Sequence, residues 1–178
     1  ENTDANMKKM PVFADPAKKH GLADKTFKDR MSLLSGKDAI DLFYFGRGHT
    51  NGDAIVYFRS AKVAHVGDLF PRKGTPLLDM NNGGSGVEIG ETLAKAAMQV
   101  KDAEVVITGH STLMTVADLK EYSEFNRAFL AYVQGAMKAG KTQEQALAEL
   151  KLPEAFSAYV MTGAKDNIGK LYAELGAK

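Results

Sequence analysis

Apolar positions along this chain follow two patterns, and the change falls near residue 112. Before it, short apolar runs alternate with turn residues. Residues 26–34 and 39–45 flank Ser35-Gly36-Lys37-Asp38 and predict a hairpin. Residues 54–59 and 62–66 predict a second one around Ser60-Ala61. Residues 69–86 carry Pro71, Gly74, Pro76, Gly83, Gly84 and Gly86 and predict a long loop, a kind of segment that often holds function. Ser85 is a candidate cap for a helix over about 87–100, and 104–108 predicts a short, mostly apolar strand. The first 24 residues are polar and broken by Pro11 and Pro16, with a short helix expected over 5–10.

After residue 112 the period becomes helical. Thr115 with Asp118 three residues later reads as a helix start, and Leu119, Tyr122, Phe129, Val133 and Met137 then recur on one face. The aromatic and methionine content of 122–137 reads as a helix's core side rather than a ligand box. Gly140 ends that helix, and Thr142 with Gln145 opens another through about Leu150. Pro153 starts a further short helix, and 166–175 predicts a last one. The expected organisation is a mixed strand-and-helix unit over 1–112 with a helical extension over 113–178 packed on it.

Composition narrows the function classes. At 178 residues, 44% apolar and 25% charged, the chain can bury one real core and reads as an ordinary globular protein. A net charge of +1 supplies no field to gather nucleic acid or an anionic membrane, and no apolar run reaches a membrane span. Without cysteine there is no disulfide, thiolate ligand or thiol nucleophile. The chain as given opens at Glu1 with no signal-peptide pattern, and its compartment is left open.

The candidate chemistry sits beside glycines at strand ends. His49 lies in Gly46-Arg47-Gly48-His49-Thr50-Asn51-Gly52-Asp53, Asp68 ends Val66-Gly67-Asp68, and His110 ends Thr108-Gly109-His110. Small neighbours let such side chains project from tight turns toward one point. Strand alternation sends Asp68 to the side of Val66 and Ala64, and His65 to the other. His65 is therefore read as an ordinary strand histidine and His20, in a polar stretch, as solvated. Gly83-Gly84-Ser85-Gly86 before a helix could present N–H groups to a substrate anion, although a connector ending in an N-cap is the plainer reading.

The three motifs, in this order and spacing, resemble the second half of the metallo-β-lactamase superfamily over roughly residues 26–112. The resemblance implies an α/β (α+β) fold, half of an αββα sandwich with a C-terminal helical extension. It implies that His49 binds one metal, His110 the other, and that Asp68 bridges them, the cofactor being two zinc ions. Asp53 would be a structural turn residue, with Thr50, Gly67 and Gly109 shaping the surroundings, and no residue of this chain is assigned as the catalytic acid or base. The superfamily's His-x-His-x-Asp-His signature is absent from these 178 residues.

Two protein ligands per zinc fall below the usual three. The expectation is weak zinc binding and no catalysis by the chain alone. The complete enzyme would hydrolyse an ester, thioester, lactone or amide, β-lactams among them, in a small-molecule substrate. Aspartate at position 68, where some β-lactamases carry cysteine, is similar to the glyoxalase II and lactonase types. Half a sandwich also predicts a sheet face without cover. The expected partner is the missing N-terminal half or a second copy, and the alternative function is an inert fragment that self-associates.

Overall fold

The structure, a computed structural model, describes residues 1–13, 15 and 22–176. His20 lies outside the described residues. One five-stranded sheet runs in the order of the chain: β1 (Arg30–Leu33), β2 (Ile40–Phe43), β3 (Ile55–Phe58), β4 (Val63–Gly67) and β5 (Val105–Thr108). The first four strands pair antiparallel, which bears out both predicted hairpins. β5 joins β4 in parallel, so the chain must cross over between them. Helix α2 (Ile89–Gln99) makes that crossover and stacks on α3 (Val116–Lys138).

Alternation along the strands gives the sheet two different faces. Phe43, Ile55, Ala64, Val66 and Val106 share one face and are buried with Leu93 and Ala96 of α2 and Leu119 of α3. The opposite face carries Leu33, Ile40, Leu42, Val56, Phe58 and Val63, none of them buried. Leu33 and Phe58 are 38% and 37% exposed, and among the described residues no second sheet lies over this apolar face, α1 reaching only its Met31 and Leu42 end. The half-sandwich expectation describes the same open face. His65 stands on it, exposed, as alternation along β4 predicts.

Helix boundaries shift from their predicted positions for local reasons. α1 is Asn2–Lys8, earlier than 5–10, because Pro11 starts a separate 3-10 turn. α2 begins at Ile89 rather than 87, since Ser85 caps the turn before it: its Oγ accepts from Glu88 N at 3.0 Å. Both predicted capping boxes form, Thr115 with Asp118 at the start of α3 and Thr142 with Gln145 at the start of α4 (Gln143–Ala148). Gly140 takes the left-handed conformation just beyond α3, with φ at +72°. After Pro153 the chain makes only a 3-10 turn, Glu154–Phe156, and α5 (Ala164–Gly176) closes the fold. Among the described residues, no helix is long and apolar enough to cross a membrane.

α3 serves two cores. Its first half contributes Leu119, Tyr122 and Phe125 to the sheet cluster, and its second half contributes Phe129, Val133 and Ala136 to a cluster with Ile168 and Leu171 of α5. The helix start is also an electrostatic joint. Asp118 accepts from Thr115 and pairs with Lys73 at 2.7 Å, and the Lys73 ammonium is the main cause that holds its carboxyl down to about 2. A carboxyl depressed in the fold stabilises above its unfolded value of 3.8 and loses that contribution as pH falls through about 2. Asp118→Asn, which keeps the cap acceptor, should therefore cost about 1–2 kcal/mol in urea unfolding at neutral pH after allowance for screening. The deficit relative to wild type should fade as pH drops from 3.8 toward 2.

Candidate metal centre

The loop between β2 and β3 builds the first arm of the site. Asp53 turns back on it, accepting from Thr50 N at 3.1 Å and from Thr50 Oγ1 at 2.6 Å. Thr50 Oγ1 in turn accepts from Gly52 N. Burial raises the Asp53 carboxyl above its usual range, against the Thr50 hydrogen bonds and the His49 ring, which lower it. This turn aims His49 inward. Gly48 is needed for the close approach, because a Cβ there would collide with Leu69 Cδ1.

Asp68 is aimed by backbone twist rather than by simple alternation. Gly67 sits at φ +52°, at the register irregularity where β4 leaves β5, so the strand's two-residue period ends one residue before Asp68. The expected segregation from His65 holds, but the left-handed glycine is its cause. Gly109 presses against the same carboxylate: a Cβ on it would overlap Asp68 Oδ1. His110 follows, its backbone N–H donating to Pro71 O at 2.9 Å.

These three side chains meet. His49 Nε2 lies 3.8 Å from Asp68 Oδ2, and His110 Nε2 lies 3.0 Å from Asp68 Oδ1. Each imidazole thus addresses its own oxygen of one carboxylate. The group is open to solvent, with side-chain exposures of 25% at His49, 31% at Asp68 and 57% at His110. His49 Nδ1 is 3.0 Å from the Leu77 carbonyl. A carbonyl can only accept, so this contact selects the Nδ1–H tautomer and leaves the Nε2 lone pair facing Asp68. The long loop walls one side, where His49, Arg72 and Leu77 border a recess of about 360 Å³ with α5.

The glycine-rich segment 83–86 has its own anion. Glu174 of α5 accepts from Gly86 N at 2.9 Å, Val87 N at 3.3 Å and Ser85 Oγ at 2.5 Å. Gly84 N and Ser85 N are taken by Asp79 O and Gly48 O. The connector reading of this segment is the one that stands. Sequence reasoning missed Leu77, Asn167, Lys170 and Glu174. Leu77 acts through its backbone, which no residue type signals. The other three recur at i, i+3 and i+7 of the last predicted helix, a polar stripe that was the only available hint.

The family model described as the metallo-beta-lactamase superfamily matches residues 2–110, which contain every residue of this constellation. The chain belongs to the metallo-beta-lactamase superfamily. No curated protein sequence matches it. Among solved structures it is similar to the DIM-1 metallo-beta-lactamase, at 23% identity and a TM-score of 0.51, over 62% of this chain and 51% of that one. A metallo-beta-lactamase from Pontibacter korlensis gives 20% identity and 0.52, over 64% and 52%. The sec-alkylsulfatase Pisa1 from Pseudomonas sp. gives 15% identity and 0.68, over 84% of this chain and 26% of that one. These likenesses concern the fold. The chain spans about half the length of the lactamases it matches.

Members of this superfamily typically bind zinc, and the donors here can be tested against that metal. Imidazole nitrogen and carboxylate oxygen are both zinc ligands, and a ligand histidine commonly gives its second N–H to a carbonyl, as His49 does to Leu77. The number of donors is the shortfall. Among the described residues no three or more His, Asp or Glu side chains form a group that could hold a metal ion. His49 and His110 diverge to opposite oxygens of Asp68, so two metal positions would each receive one imidazole and a share of one carboxylate. The donor types suit zinc, and their number falls short of a metal site.

Proposed function

We propose that this chain is the C-terminal portion of a di-zinc hydrolase, whose remaining ligands come from a segment outside these 178 residues. The observation that carries the reading is the placement of one carboxylate between two imidazoles, with His49 held by Leu77 in the tautomer a metal needs. His49 and His110 would each hold one zinc, and Asp68 would span the pair. Zinc, when bound, would supply Lewis acidity for activating water and stabilising an oxyanion. This chain's own task is to orient: Leu77 fixes one ring, the Gly67 twist aims the bridge, and the half-open surface admits substrate. The substrate class is an ester, thioester, lactone or amide, and the sulfatase neighbour adds a sulfate ester to the panel worth assaying.

The same reading gives the open sheet face an occupant. Its apolar side chains, Leu42, Val56 and Phe58 among them, are suited to a second sheet, and the lactamases matched are about twice as long as the matching span. The missing ligands would arrive on that sheet. An uncovered face of this kind also favours self-association, the behaviour expected if the chain is an inert fragment.

Zinc content after dialysis, read together with light scattering, tests this. The isolated chain is expected to retain close to no zinc and to associate through the open face regardless of chelator. The longer protein that includes the complementary sheet is expected to hold about two zinc ions per chain and to turn over a chromogenic ester, β-lactam or alkyl sulfate. A longer protein that covers the face yet holds no zinc would overturn the hydrolase reading.

A further inference from the structure

We infer that α5 is a positioning element for the His49 imidazole, acting through the peptide segment 76–78. The inference rests on the reading of His49 as a metal ligand. It assigns Asn167 and Lys170 as the residues that do the positioning, and both lie outside the span matched by the family model.

The argument starts from the loop's backbone. The successive carbonyls of Pro76, Leu77 and Leu78 are shared between two elements, the outer pair going to α5 and the middle one to the loop that carries His49. Asn167 Nδ2 donates to Pro76 O at 3.1 Å, and Lys170 Nζ donates to Leu78 O at 2.8 Å. Between them the Leu77 carbonyl faces His49 Nδ1 at 3.0 Å. With both outer carbonyls held, the Leu77 carbonyl can turn away only by a flip of its own peptide plane, which would carry Leu78 from its negative φ into the positive region that non-glycine residues rarely adopt. Among the described residues, segment 76–78 belongs to no strand ladder that could hold these carbonyls instead. Before the segment, Thr75 N donates to Val160 O and Thr75 Oγ1 accepts from Gly163 N; after it, Asp79 N donates to the His49 carbonyl at 2.8 Å, which keeps the loop beside His49 while α5 sets the turn of its carbonyls.

Helix geometry explains why α5 can make this grip. Residues 167, 170 and 174 stand one above another on one side, while Ile168 and Leu171 on the adjoining side are buried against the second core. The core contact sets the helix, and the polar stripe then meets the loop. Asn167 is 2% exposed and also donates to Gly163 O at 3.0 Å, so its amide orientation is fixed by two carbonyls. Lys170 is held from its other side by Asp166 at 2.6 Å. Glu174, lower on the same stripe, ties Ser85, Gly86 and Val87, which anchors the far end of the loop. One helix thus brackets the loop segment that orients a candidate metal ligand.

The tautomer of His49 is the direct readout, and it needs no metal. Long-range proton–nitrogen correlation spectra of the imidazoles, recorded about two pH units above the ordinary histidine value of about 6.5, distinguish Nδ1–H from Nε2–H. Wild-type His49 is expected to show the Nδ1–H form. Lys170→Met and Asn167→Ala are expected to raise its Nε2–H population several-fold while the amide spectrum of the sheet is unchanged, and Lys170→Arg is expected to restore wild-type behaviour. Lys170 is half-buried where Asn167 is fully buried, so its variants remain informative if Asn167→Ala fails to fold. Retention of the Nδ1–H form in a folded Lys170→Met protein would overturn the inference, as would a wild-type His49 already in the Nε2–H form. In the zinc-holding protein, Lys170→Met is expected to weaken zinc by a few-fold, less than the roughly 10–100-fold cost of losing a direct outer-sphere partner. Because the spectra are read on apoprotein, their outcome stays separate from whether zinc binds at all.

Discussion

Asp68→Ala should weaken zinc binding in the completed centre by more than the roughly 10–100-fold that removal of an outer-sphere partner costs. Among the described residues, Asp68 is the carboxylate that faces both imidazoles, at 3.8 Å from His49 and 3.0 Å from His110. Its removal takes one donor from each metal position at once, leaving a single imidazole of this chain at either. Turnover should fall below detection, since both water activation and oxyanion stabilisation depend on the pair. A competition titration against a chromophoric chelator reads the affinity, and Asp68→Asn separates charge from shape. The side chain is 31% exposed, so the fold itself should lose little. Zinc binding equal to wild type in Asp68→Ala would remove Asp68 from the ligand set and with it the bridging geometry.

Phe125→Ala should carry the largest effect on stability, about 3–5 kcal/mol. Its ring is fully buried and sits at the middle of an aromatic cluster: stacked on Tyr159 at 4.3 Å, beside Tyr122 at 6.0 Å, and edge-on to Phe156 at 5.5 Å. The first of these neighbours belongs to the segment leading into α5, so truncation would open a cavity where α3 packs against that segment. A loss of that size consumes a large share of the ~5–15 kcal/mol that holds a typical domain. Urea unfolding followed by far-ultraviolet and aromatic signals checks it. One shared transition, moved to lower denaturant, is expected, because α3 runs unbroken through both cores. A loss under about 1 kcal/mol would mean the cluster is not the joint described here. Two separated transitions would instead make residues 113–178 a unit that unfolds on its own.

Both predictions depend on residues that the sequence revealed unequally. Asp68, His49 and His110 were legible because each follows a glycine at the end of an apolar run, and such spacing survives in one dimension. Phe125 escaped the helical reading, which picked Leu119, Tyr122, Phe129, Val133 and Met137. The first four of those are buried and Met137 is partly so. Phe125 completes the i, i+3, i+4 pattern with Tyr122 and Phe129, and only its packing against Tyr159 makes it central.

The strands, both hairpins, the long loop and the capping boxes could be read from sequence because short-range rules set them: two- and four-residue periods, turn residues and cap pairs. The superfamily followed from three motifs in order. Other features needed the tertiary structure. The left-handed Gly67 overrides strand alternation to aim Asp68, and Glu174 occupies the glycine-rich seat that local pattern offered to a substrate. Asn167 and Lys170 reach carbonyls some 90 positions earlier in the chain, which makes His49 a ring held from the far end of the sequence. Local periodicity specifies which elements form. The partners of a backbone carbonyl in a loop are specified only when distant elements pack, and it is those partners that orient the candidate metal ligand.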